Sequence, residues 1–253
     1  MGQSWSRWQR HRNAKALREL APKKTPGHDK PLPDLTRDTL LSALRTVATY
    51  LAKRKCNTTV IAVGGAVNTI HLRSRGATHD VDFFNDSLTP TEFEHLIKGA
   101  REAVKFNARL DESWFNNRTI FFIPRAQREA LTEQAFAQQE VVFREPGLTV
   151  LAAPWQYAFC CKVDRLAGGG LNPARAYDLD DAVQYLHRYL TRCGAAEVQD
   201  ATVRGWFVEY RLRWTSVNDA VIGRVNSAYR AKFHLNHNPI ACITSTQMMG
   251  FAG

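Results

Sequence analysis

The apolar positions of this chain switch between two spacings, and the switches divide it into elements. Leu40, Leu41, Leu44, Val47, Ala48 and Leu51 recur three and four residues apart, which predicts a helix over 36–54 with one buried face. The β-branched run Thr58–Val63 has the length of a buried strand. Gly64-Gly65 breaks it, a short helix is predicted over 66–73, and residues 79–84 alternate as a second strand. Thr89-Pro90-Thr91-Glu92 carries a cap, a first-turn proline and a glutamate three residues after the cap, so a helix should run from there to about residue 105. A third strand is predicted over 118–123 and a helix over 125–138. Strands at 141–143 and 148–152 form a hairpin around Glu145-Pro146-Gly147. Beyond Pro154 the period is helical: 154–167, a break at Gly168-Gly169-Gly170, then 176–192, 197–213 and 216–232.

The order is an α/β (α+β) first part, a small mixed sheet flanked by helices, followed by a helical C-terminal part that begins near 153. Residues 1–35 contain Pro22, Pro26, Pro31 and Pro33 and hold no sustained period beyond a possible helix near 5–20, so they read as a basic flexible arm. The divisions are therefore 1–35, 36–153 and 154–253.

Charge sharpens this division. The formal net charge is +10 over 253 residues, yet eight Lys/Arg lie within residues 1–30 against only Glu19 and Asp29. The arm, more than the folded part, makes the chain basic and suits an anionic partner such as nucleic acid or a membrane surface. Met1-Gly2-Gln3-Ser4-Trp5-Ser6 fits the N-myristoylation pattern and makes Gly2 a lipidation candidate. The basic residues after it would be the second signal that a single acyl chain needs. A disordered leader matching a short pattern by chance is the other reading. No apolar run approaches the roughly 18 residues of a membrane span. The five cysteines lack zinc-ligand spacing, so an intracellular, cytoplasmic location is expected, peripheral to a membrane if the arm is acylated.

The richest chemistry lies in residues 63–84, VGGAVNTIHLRSRGATHDVDFF. In a strand, Asp80 and Asp82 share a face while Val81 and Phe83 take the other. Two adjacent carboxylates repel unless a cation or a shared proton compensates. Glycines before a helix let backbone N–H groups approach phosphate oxygens. The glycine pair alone is equally a tight turn, and the aspartate pair alone is equally solvated charge; their combination is more specific.

The segment resembles the signature of the nucleotidyltransferase fold, the DNA polymerase β superfamily, and is most similar to minimal and abortive-infection type nucleotidyltransferases. The resemblance spans roughly residues 58–190. It implies a small mixed nucleotidyltransferase sheet, Mg²⁺ (or Mn²⁺) held by Asp80 and Asp82, and an NTP seated at Gly64 and Gly65 near Arg75 and Thr78. In the second half, Lys162 maps to a nucleotide-contacting lysine, and Asp178 and Asp181 map to the acids of a later element, with Asp178 a candidate third metal ligand. The helical region would then complete the site. Lys162 is equally a snorkelling surface lysine, and Asp178 equally a helix cap. Two departures stand out: Tyr177 replaces a usual basic residue, and the predicted strand 118–123 carries no third acid. Glu140 and Glu145 flank the next strand and substitute poorly.

The expected activity is metal-dependent transfer of an NMP from an NTP to a hydroxyl on RNA or protein, as in toxin–antitoxin systems. The alternative is a catalytically degenerate fold acting as a binding or regulatory module. Trp206, Tyr210, Trp214 and Tyr229 alternate with arginines in a way that suits base stacking, but at helical spacing they read better as core. His234 and His237 lack companion ligands.

Overall fold

The computed structural model describes residues 33–169 and 173–241. Gly2 and most of the predicted arm lie outside the described residues. The chain forms two compact units divided between Ala153 and Pro154. Among the described residues no helix is long and apolar enough to cross a membrane.

The first unit opens with strand β1 (Leu35–Thr36) and helix α1 (Arg37–Ala52). Thr36 caps α1, its side chain accepting from the amide of Thr39. The face read from the sequence is the buried one: Leu40, Ala43, Leu44, Val47, Ala48 and Leu51. Strand β2 (Thr58–Val63) follows, then a helical turn (Gly65–Val67) that widens into a π-type turn (Asn68–Leu72). Strands β3 (Ala77–Thr78) and β4 (Val81–Phe84) lead to helix α2 (Pro90–Phe106). Its capping box is formed as expected, Thr89 and Glu92 each bonding the other's backbone amide. Gly99 lets α2 lie close on α1: a Cβ there would stand 3.2 Å from Val47 Cγ1.

Strand β5 (Phe115–Asn116), helix α3 (Arg125–Gln138) and the hairpin β6 (Val141–Glu145) and β7 (Leu148–Ala152) complete the unit. The five-stranded mixed sheet runs β5-β4-β2-β7-β6. β2 pairs parallel with β7 and antiparallel with β4, and β4 pairs parallel with β5. β1 and β3 form a separate antiparallel pair in which Leu35 faces Thr78.

In the first unit two expectations need correction. The third strand is not at 118–123 but at Phe115–Asn116; Arg118–Phe121 is a 3-10 turn. The Asn116 side chain accepts from the Arg118 amide at 3.0 Å and turns the chain away, and the amides of Ile120 and Phe122 then bond three residues back. Phe121 and Phe122, read as strand interior, are exposed. The strand predicted over 79–84 begins only at Val81, so Asp80 precedes the ladder rather than sharing it with Asp82.

The second unit is helical: α4 (Trp155–Leu166), α5 (Asp178–Cys193), α6 (Asp200–Glu209) and α7 (Ser216–Phe233). β8 (Val198–Gln199) and β9 (Ile240–Ala241) form a short parallel pair. The helix predicted over 197–213 is thus shorter, its start taken by β8. Asn226 of α7 holds β9 with two bonds, from Nδ2 to the Ile240 carbonyl and from the Ile240 amide to Oδ1, each 3.0 Å. Trp206, Tyr210 and Tyr229 are buried and belong to the core, whereas Trp214 lies between helices, half-buried, with the Arg204 guanidinium 4.3 Å over its ring. Tyr189 and Phe159 pack edge-on against Trp206.

Candidate functional site

The carboxyl end of β2 and the start of β4 bring the conspicuous residues of the first unit together. Val63 pairs with Asp82 across the antiparallel ladder, and Asp82 pairs with Asn116 across the parallel one. Gly64 follows Val63 directly, so the glycine turn starts one residue from the cross-strand partner of Asp82.

The two glycines serve different ends. Gly64 has φ 64 and ψ −131, a conformation open essentially to glycine alone. Gly65 is needed for space: a Cβ there would stand 2.1 Å from Thr78 Oγ1 and 3.5 Å from an Arg75 guanidinium nitrogen. The turn, Thr78 and Arg75 therefore meet, as the sequence reading grouped them. Thr78 itself fills the space beside Gly65.

Asp80 is partly buried, and that burial raises its pKa above the ordinary carboxylate value of 3.8. Arg118, His79 and a bond from Asn116 pull the other way without cancelling the burial, and Asp111 adds to it. The Asn116 Nδ2 stands 3.5 Å from Asp80 Oδ2, at the outer limit of a hydrogen bond, and 3.1 Å from the Ser113 carbonyl. Asn116 is fully buried and links Asp80, Ser113 and Arg118. It is the residue that sequence reasoning missed. The wrong strand boundary hid it, and the only signal available was the Asn116-Asn117 pair, which favours turns. Glu140 and Glu145, weighed as substitutes for a third acid, bond His71 at 3.2 Å and Arg45 at 3.0 Å.

The second unit has its own ionic cluster. Lys162 of α4 is buried, not a snorkelling surface residue. Its Nζ lies 2.5 Å from Asp178 Oδ1 and 2.7 Å from Asp181 Oδ2. The i,i+3 spacing of the aspartates on α5 puts both carboxylates on the face that meets α4. Asp178 also accepts from the Arg175 amide at 2.8 Å and faces Arg165 at 3.6 Å. Burial opposes its charge, but the Lys162 and Arg175 bonds and the nearby cations outweigh burial and hold its pKa below the ordinary range. Asp178 is thus an ion-pair partner that also ties down the preceding loop, and not the helix cap the sequence allowed: Tyr177 holds the N-cap position, with no side-chain cap bond.

Among the described residues no three or more His, Cys, Asp or Glu side chains are placed to share a metal ion. Mg²⁺, however, commonly takes one or two carboxylates and fills its remaining positions with water and phosphate oxygens. Asp80 and Asp82 fit that pattern: both are hard oxygen donors, and Asp80 is a carboxylate whose burial disfavours its uncompensated charge.

A family model described as Domain of unknown function (DUF7582) matches residues 33–236, most of the chain. The chain belongs to the DUF7582 family. No curated protein and no solved structure matches it. The DUF7582 span takes in both the Gly64–Asp82–Asn116 end of the sheet and the Lys162 cluster, and it leaves Gly2 outside.

Proposed function

We propose that the first unit binds a metal–nucleoside triphosphate complex at the Gly64–Asp82 end of its sheet. We further propose that it transfers the NMP to a hydroxyl of RNA or protein, in the manner of the nucleotidyltransferases it resembles. The observation that carries the reading is the pairing of Val63 with Asp82, which sets a glycine-only turn beside Asp82, with Asp80 two residues before it in the chain. The site also lies at the carboxyl end of a parallel strand pair, where ligands of open α/β sheets commonly bind.

Asp80 and Asp82 would hold Mg²⁺ or Mn²⁺, and Gly64 and Gly65 would present the turn to the phosphates. Arg75 would offset phosphate charge, and Thr78 would fix the turn. Bound there, the ion would neutralise the triphosphate and favour ionisation of an attacking hydroxyl. The chain's own residues supply the orientation: the Asn116 amide lies within 3.5 Å of Asp80, and the ladder fixes the backbone of Asp82. Asp178, expected as a third ligand, holds Lys162 in this assignment, and Lys162 supports the second unit.

Incubation with each [α-³²P]NTP, Mg²⁺ and total RNA or protein tests transfer. Label should appear on one acceptor class and vanish with Asp80→Asn/Asp82→Asn. Full labelling by that double variant would sink the assignment. A second reading rests on Asn116, an amide in register with Asp82 where a third acid would complete a catalytic set. It gives a degenerate fold that binds nucleotide and regulates without transfer. Metal-dependent binding with no labelling of any acceptor selects that reading.

A further inference from the structure

Away from the sheet end just described, the first unit holds a second reactive arrangement. Cys56 lies between the end of α1 and the start of β2, and its Sγ stands 3.0 Å from His95 Nδ1 on α2. The Arg54 carbonyl is the other atom within reach, at 3.7 Å. Both Cys56 and His95 are partly exposed, so a small reagent in solvent has access. The cysteine is free.

The surroundings offer the thiol proton an acceptor. With its proton on Nε2, the His95 ring presents Nδ1 as an acceptor for the thiol proton. Three exposed cations, Lys53, Arg54 and Lys55, precede Cys56 in the chain. Arg54 is committed to the Tyr50 ring and carbonyl, 3.5 Å and 3.0 Å away. The opposing influence is the carbonyl end of α1, where the Cys56 amide bonds the Leu51 carbonyl. Two nearby carboxylates are paired elsewhere: Glu94 with Lys98 on α2, and Glu145 of β6 with Arg45 of α1.

We infer that Cys56 and His95 form a thiol-modification site whose reaction partner is a low-molecular-mass disulfide. His95 Nδ1 takes the thiol proton. The Cys56 sulfur attacks one sulfur of R–S–S–R, a Cys56–S–S–R bond forms, and the R–S⁻ that leaves takes up a proton as R–SH. No further oxidant is required, because the disulfide is reduced as the cysteine is oxidised. The site is independent of the nucleotide reading: it shares no residue with the Gly64–Asp82 end.

Cys193, the most exposed of the described cysteines, supplies the internal comparison, since it has better access and is bonded to Tyr189 rather than to a histidine. The full-length protein is incubated with oxidised glutathione at pH 7, and each cysteine's mixed disulfide is followed by peptide mass spectrometry. Cys56 should react about threefold or more faster than Cys193, because a base held at the sulfur takes the thiol proton as the sulfur attacks. His95→Gln should bring Cys56 down to the Cys193 rate or below and leave Cys193 unchanged. A wild-type Cys56 that reacts no faster than Cys193 overturns the assignment, as does a folded His95→Gln protein with an unchanged Cys56 rate. The wild-type comparison stands alone if that variant does not fold.

Discussion

Gly64 and Gly65 are adjacent, yet substitution should damage each by a different route. Gly64→Ala forces a side chain into a backbone conformation that costs about 1–3 kcal/mol. Gly65→Ala meets Thr78 instead, and overpacking of this kind costs about 1–3 kcal/mol. Adding Thr78→Ala should recover part of the Gly65→Ala loss and none of the Gly64→Ala loss, as read from urea denaturation midpoints. Asp80 allows a pH test. Its folded pKa is raised by burial above its unfolded value of 3.8, so its contribution to stability is fully present below that value and lost as pH rises through the folded pKa. The native state carries an uncompensated cost at neutral pH in the absence of metal. Asp80→Asn should therefore be more stable than the wild type at pH 7 without metal, with the gap closing below pH 3.8. Denaturation midpoints across that range decide it.

At the scale of elements, amphipathic helices and buried runs were legible in the sequence, while short strands and ionic partners were not. The face of α1, the strand Thr58–Val63, the capping box at Thr89 and the span of α3 follow from periodicity and cap chemistry that act locally. β5 escaped because two residues carry no period, and the apolar stretch after it imitates a strand. Asn116 decides the matter through a side-chain turn, a choice that hydrophobicity cannot register. The candidate site was half legible: the glycines and aspartates stand out by type, whereas the buried amide beside them does not. Lys162 shows the same limit, since its burial depends on two aspartates supplied by another helix. Replacing it with methionine should cost about 3–5 kcal/mol at pH 7, because Asp178 and Asp181 would stay buried without their cation. The Asp178 pKa is lowered in the native state, so its contribution is present above the unfolded pKa and lost as pH falls through the folded one. The Lys162→Met deficit should accordingly shrink in acid, as followed by urea denaturation.

At the scale of the molecule, the two units carry different tasks in this account. The second is stabilised by an aromatic core and a buried ion cluster; the first presents the residues whose chemistry calls for a ligand. Anything that binds only the native state stabilises it by mass action, about 2.7 kcal/mol at a hundredfold excess over Kd. The most direct measurement of the central claim is a thermal-shift titration of the full chain with ATP, GTP, CTP and UTP, each with and without Mg²⁺. At least one nucleotide should raise Tm only when Mg²⁺ is present, and Asp80→Asn/Asp82→Asn should abolish that rise while remaining folded. No Mg²⁺-dependent rise with any of the four, or an equal rise in the double variant, would contradict a nucleotide site at the Gly64–Asp82 end of the sheet.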